Sequence, residues 1–340
     1  MTEGTKGKNR GLGGLSTRAA RLAWRACALS LTLTALSLFL LVLNLAHHEA
    51  HFYEPWLDNT LTAISYAPVG ALIASRHPGN PVGSLLCLYG IVIGLSYFCA
   101  EYAIYALLAQ HGSLPGGGAM AWLYSWMLPL VIGFSTFTYL LFPTGRLPSR
   151  RWRWAVWLTA AFVVVGMLLG AFSSGSLNDI GPIRNPLGIA GLAAIYGVVL
   201  YATFSVLLVA VISSVFVRLR RAGGVERQQI KWFAYAVTAN AIATVVAYIV
   251  PGLMDTPPWF EWVGFALNNI AIPAIPIAIG IAILRYRLYD IDLIINRTLV
   301  YGSLTAALVA LYCGGIVLLQ TLFVTLTGQQ STLAVVASTS

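Results

Sequence analysis

The chain has 340 residues, 58% of them hydrophobic and only 9% charged, with a formal net charge of +9 and a mean hydropathy of +0.79. A soluble domain carries about 25% charged residues, so this composition excludes a water-soluble globular protein. The positive charge does not point to nucleic acid, because it is divided among short segments between apolar runs. That pattern serves membrane orientation and headgroup contact.

A run of about 20 apolar residues crosses a bilayer as a helix. Such runs predict an all-α, polytopic integral membrane protein with about nine transmembrane helices and the start of a tenth. In chain order the spans fall at 24–46, 61–75, 83–109, 120–141, 154–172, 190–217, 232–250, 262–284 and 298–326. Residues 1–23 form a basic N-terminal segment, 24–326 one transmembrane domain, and 327–340 an outer turn followed by the opening of a further span. The first run is longer than the core of a cleaved signal peptide, about 7–15 residues, and is read as a retained span. The second span is short and carries Pro68.

Charge then orients these spans. Nineteen of the twenty Lys and Arg residues fall on one side, in the segments before span one and after spans two, four, six and eight; only Arg184 lies opposite. Basic residues are retained on the cytoplasmic side during insertion, which predicts a cytoplasmic N-terminus. Tryptophans such as Trp122, Trp126, Trp152, Trp154, Trp259 and Trp262 gather near span ends, as an interfacial aromatic belt does. Cys27, Cys87, Cys99 and Cys313 sit in apolar runs without CxxC spacing, and read as buried free thiols packing like small apolar residues.

Polar residues within this frame are the candidate sites. His47, His48 and His51, with Glu54 nearby, form the one cluster with metal-ligand chemistry, since spacings of three and four aim two imidazoles at one ion on a helix. The plainer reading is a polar segment where the chain leaves the bilayer, and no metal or cofactor is assigned. Glu101 ends an apolar stretch among Tyr97, Tyr102 and Tyr105. It lies about 27 Å along a helix counted from Gly83, which suggests an interfacial acid; a buried ligand or proton site is the alternative. Asn268 and Asn269 share span eight with Pro273 and Pro276. They mark either a bent helix lining a binding cavity or a kinked packing helix whose amides satisfy backbone groups on neighbouring helices.

Beyond span eight, Arg285, Arg287 and Arg297 bracket Asp290 and Asp292, while Leu288, Ile291, Ile294 and Ile295 recur at spacings of three and four. A helix with that pattern lays an apolar face on the acyl boundary, and these five charged residues are the candidates for coupling span eight to span nine. Gly90–Gly94 and Gly166–Gly170 are GxxxG patterns for close helix approach, within the chain or in a homodimer. No GxxxxGK[ST], GxSxG or HExxH motif occurs, so the chain is not expected to be an enzyme by itself.

Three segments on the basic side carry a resemblance: Gly70 to Gly83 (GALIASRHPGNPVG), Leu141 to Trp152 (LFPTGRLPSRRW) and Arg285 to Gly302 (RYRLYDIDLIINRTLVYG). Together they resemble the multi-span N-terminal sensor regions of bacterial two-component histidine kinases. The resemblance implies a membrane-embedded input module in the bacterial cell (inner) membrane, whose partners are the lipid bilayer and, in a full-length relative, a cytoplasmic signalling output. The chain itself has no phosphoacceptor histidine segment and no ATP-binding boxes. A small-solute transporter or channel is the alternative reading, and the coding sequence immediately downstream would discriminate the two.

Overall fold

The computed structural model describes residues 4–45, 56–110, 112–174, 185–253 and 256–284. Within them the protein is helical, with no strand and a single isolated bridge between Ser173 and Ile189. The elements are α1 (Gly4–Asn44), α2 (Trp56–Arg76), α3 (Pro81–Ile104, continued by a π-helical turn over Tyr105–Ala109), α4 (Gly117–Ser125), α5 (Leu128–Leu141) and α6 (Arg153–Ala171). They are followed by α7 (Leu192–Arg221), α8 (Gly224–Thr244), a π-helical turn Val245–Ile249 leading to α9 (Val250–Leu253), α10 (Pro258–Ala271) and α11 (Ala274–Leu284).

Among the described residues six helices are long and apolar enough to cross a bilayer, seven if the bent pair α4–α5 is one span. The protein is therefore a helical membrane protein, and the outward faces agree: Phe39, Trp157, Val198, Tyr201, Val209 and Ile270 are all more than 60% exposed. In lipid such side chains need no partner, because acyl tails are as apolar as a protein core. The ninth predicted span and the opening of a tenth lie outside the described residues, as does Cys313. Cys27, Cys87 and Cys99 are buried and free.

The 21-residue α2 is not among these six helices. It carries Asp58, Asn59, Thr60, Thr62, Ser65 and Ser75, all buried or half-buried, and ends on the exposed Arg76; it packs against α1, α3 and α11, so the polar side chains along it meet protein. Pro68 lies within it without ending it. The α2–α3 crossing is made possible by two glycines. A Cβ on Gly83 would stand 2.5 Å from the Ala74 nitrogen, and one on Gly70 would stand 2.7 Å from the Cys87 nitrogen.

Span four differs from the single helix expected. It is two helices, α4 and α5, bent by 42°. Pro129 lacks the N–H that would bond the Ser125 carbonyl, and its ring collides with that carbonyl in a continuous helix; α4 ends at Ser125. Pro273 divides span eight into α10 and α11 for the same reason, and Pro276 sits in the first turn of α11, where its missing N–H costs little. Both GxxxG patterns serve contacts within the chain: Gly90 and Gly94 face α1 at Ser30, and Gly166 and Gly170 face Pro129 and Trp126.

The main core gathers Tyr66, Ile73, Val82, Leu86, Phe142, Phe233, Ile275 and Ile279 from α2, α3, the end of α5, α8 and α11. The tilted rings of Tyr66 and Tyr89 meet with centroids 4.7 Å apart, and those of Phe142 and Phe233 with centroids 4.6 Å apart.

Candidate functional site

Two polar couples lie within the bundle, one buried and one partly buried. α1 turns a stripe of small and polar residues inward, namely Ala23, Cys27, Ser30, Thr34, Ser37 and Asn44, joined near its end by Leu40 and Leu41, while Leu22, Leu29, Leu31, Leu36 and Leu43 face outward. Thr34 and Ser37 satisfy their hydroxyls on carbonyls of their own helix, those of Ser30 and Leu33, which lets polar residues sit in an apolar span. Asn44, the last residue of α1, instead reaches α3. Its Nδ2 donates to the Glu101 carboxylate (Oε2, 2.8 Å) and to the Glu101 backbone carbonyl (2.9 Å). Glu101 is 2% exposed and Asn44 is fully buried.

The interfacial acid expected at Glu101 is thus an enclosed one, because α3 continues past it into the π-helical turn and α1 covers it. Two of its tyrosine neighbours bond elsewhere: the Tyr102 hydroxyl donates to the Pro115 carbonyl at 2.9 Å, and the Tyr105 hydroxyl accepts from Gln110 at 3.2 Å. Burial of a carboxylate in a spanning helix is costly and marks a functional-site candidate.

The second couple joins three helices. Asn268 of α10 donates through Nδ2 to Asp58 Oδ2 of α2 at 3.2 Å, and its Oδ1 accepts from the Thr244 hydroxyl of α8 at 3.1 Å. Asn269 donates to the Phe265 carbonyl one turn back, at 2.9 Å. The asparagines of span eight therefore do different work from that expected. Asn269 serves its own helix, and Asn268 bridges side chains of neighbouring helices instead of satisfying their backbone.

The third arrangement is at the basic end. Asn80 caps α3 by accepting from the Val82 N–H at 3.1 Å, with Pro81 at the first helical position, an N-terminus built from the usual signals. The same side chain donates to the Pro143 carbonyl at 2.9 Å. Gly145, at φ +74°, then turns against Pro81 so closely that no Cβ fits there. On the far side of the loop, buried Arg218 of α7 donates to the carbonyls of Leu140 and Arg146. Gln229 of α8 ties to the Ala282 carbonyl of α11 at 2.6 Å. Two adjoining clefts of about 470 Å³ each open here, one beside Arg76, His77 and Asn80, the other beside Arg146, Arg218 and Arg221, with Thr144 common to both.

Asn44, Asp58 and Arg218 hold these arrangements together, and none stood out in the sequence. Asn44 is one amide at the end of an apolar run, Asp58 reads at most as a further oxygen ligand, beside Glu54, for the outer histidine cluster, and Arg218 is hidden among the basic residues of a loop. His47, His48, His51 and Glu54 lie outside the described residues, and so do Arg285, Arg287, Asp290, Asp292 and Arg297. Among the described residues no group of three or more His, Cys, Asp or Glu side chains is placed to hold a metal ion. The chemistry available is hydrogen bonding by enclosed carboxylate–amide couples inside the bundle and cationic binding at its basic end. Comparison with protein-family models, with curated proteins and with solved structures finds no match.

Proposed function

We propose that this chain is the membrane-embedded input module of a bacterial sensor histidine kinase-like protein. One observation carries the reading most directly. Two of the three segments that resemble such sensor regions meet in space although their bonded residues are 63 positions apart, Asn80 holding the Pro143 carbonyl. An inner-face latch of this kind suits a module that passes helix movement to an attached output. The third segment continues directly from α11, whose Ala282 carbonyl is held by α8, so the elbow at residues 285–297 would receive any shift of the α8–α11 pair.

The finer topology belongs to this reading. Nine spans, with the N-terminus in the cytoplasm, place Asn80, Arg146, Arg218 and Gln229 together inside, and Asn44, Glu101, Asp58 and Asn268 toward the outer side. The hydrogen bonds between helices support this, because each joins residues that the charge partition assigns to the same side. Reporter fusions at residues 150, 222 and 290 are expected to score cytoplasmic, and fusions at 55, 178 and 256 external. One reversed fusion breaks the nine-span arrangement.

Coupling through the elbow is testable in a chimera with a kinase output. Asp290→Ala with Asp292→Ala is expected to change basal or stimulated output at least severalfold while insertion and abundance stay normal. Unchanged output at normal abundance makes the elbow a passive surface linker. The enclosed Glu101–Asn44 and Asp58–Asn268 couples favour a second reading, a small-solute transporter or channel, since intramembrane carboxylates also mark solute and proton pathways. Solute flux in proteoliposomes that Glu101→Gln abolishes would favour it over the sensor reading.

A further inference from the structure

The cleft at the foot of α7 has the chemistry of an anion site. Its wall carries Arg146, Arg218 and Arg221 against one acid, Glu226, with Thr144 adding a hydroxyl. The three arginines differ in what they already do. Arg218 is 8% exposed. Its Nη2 is committed to two loop carbonyls, yet its Nε–H is buried without an acceptor among the described residues. Arg146 and Arg221 are exposed and their side chains form no ion pair among the described residues. The neighbouring Arg220 is used otherwise, lying 4.2 Å over the Phe216 ring. Charge concentration alone would be expected where α7 ends, since basic residues complement the C-terminal end of the helix dipole. A buried guanidinium N–H left open beside two free guanidinium groups goes beyond that need.

Depth in the membrane selects the ligand. Trp152 and Trp154, stacked at 6.4 Å at the start of α6, mark the headgroup level on which tryptophans settle. α7 stays exposed through Val209, Ile212 and Phe216 almost to its last turn, so acyl chains flank it down to the level of the cleft. Basic pockets between spanning helices at this level suit anionic headgroups, and guanidinium forks match phosphate oxygens. We infer that this cleft binds the phosphate of an anionic phospholipid headgroup, between the α5–α6 loop and the α7–α8 hairpin. A lipid so placed would contact the loop that Arg218 ties to α7 and the start of α8, and would hold the two together.

The test uses the full chain purified in a neutral detergent, with lipid retention read by native mass spectrometry. Phosphatidylglycerol is expected to be retained at one molecule per chain and to raise the unfolding temperature, while phosphatidylcholine with the same acyl chains does neither. Arg146→Gln with Arg221→Gln removes two free cations and no intraprotein bond. It should weaken retention roughly 25-fold, about fivefold for each cation near the surface. Arg150→Gln with Arg151→Gln removes the same charge at the same end outside the cleft and should leave retention within about twofold. Equal retention of both lipids, or equal loss in both double variants, overturns the site. Calorimetric binding of inorganic phosphate that the Arg146/Arg221 pair abolishes, without lipid retention, overturns the lipid assignment in favour of a soluble phosphate.

Discussion

Asn44→Leu is expected to destabilise the folded protein by about 2–3 kcal/mol, because it withdraws a donor from a carboxylate that has little access to water. The amide meets Glu101 twice, at the carboxylate and at the backbone carbonyl, so one substitution removes both bonds. The leucine adds apolar surface but supplies no hydrogen. Asn44→Leu with Glu101→Leu should recover most of the loss, since replacing both members of a buried polar pair by apolar groups is often close to neutral. Reversible unfolding in mixed micelles measures both variants. Additive losses in the double variant would show that Asn44 and Glu101 do not depend on each other. The pair also separates stability from function. If the enclosed acid takes part in sensing, the double variant folds but no longer responds, whereas a purely architectural acid leaves the response intact.

Much of this architecture is legible in the residues. The sixth helix, Arg153–Ala171, lies within a residue of the span expected at 154–172, because a long apolar run bounded by arginine and tryptophan has little freedom in where it can end. The bend in span four was equally available in principle: Pro129 stands in the middle of the run, and a proline there removes a helix bond. Hydropathy alone hides it, since proline does not interrupt an apolar average.

The polar couples were not legible for a different reason. Glu101 could be singled out as a carboxylate in an apolar helix, but its enclosure depends on how closely α1 approaches α3, which the stripe of Ser30, Thr34 and Asn44 permits. Asp58 and Asn268 are 210 residues apart in the chain, and no local pattern links them. Arg218 shows the limit of charge counting, for its guanidinium orients the chain like its neighbours and is also a buried tie between α7 and a loop.

The close crossing of α2 and α3 predicts the most damaging small substitution, Gly83→Ala. The added Cβ would meet the Ala74 nitrogen at 2.5 Å, the Ala74 Cα at 3.0 Å and the Gly70 carbonyl oxygen at 3.0 Å. All three are backbone atoms, so no side-chain rotation relieves the clash and the two helices must move apart. Overpacking of a tight core costs typically 1–3 kcal/mol, and an obstacle made wholly of backbone places this case at about 3 kcal/mol or more. Gly79→Ala, four residues earlier in the connecting turn, is the matched control, because nothing lies within 4 Å of its added Cβ and its cost should stay within about 0.5 kcal/mol. The consequences of Gly83→Ala extend beyond stability. α2 carries Asp58, and α3 carries Glu101 and the capping Asn80, so separating the helices strains both enclosed couples and the latch to the Pro143 loop together. Gly70→Ala attacks the same crossing from the other side, at 2.7 Å from the Cys87 nitrogen. Once either alanine has forced the helices apart, the second meets less resistance, and the double variant should lose less than the two single losses combined. Unfolding in micelles, with all four variants at matched expression, measures this. A Gly83→Ala protein as stable as Gly79→Ala would mean that α2 and α3 are not in backbone contact.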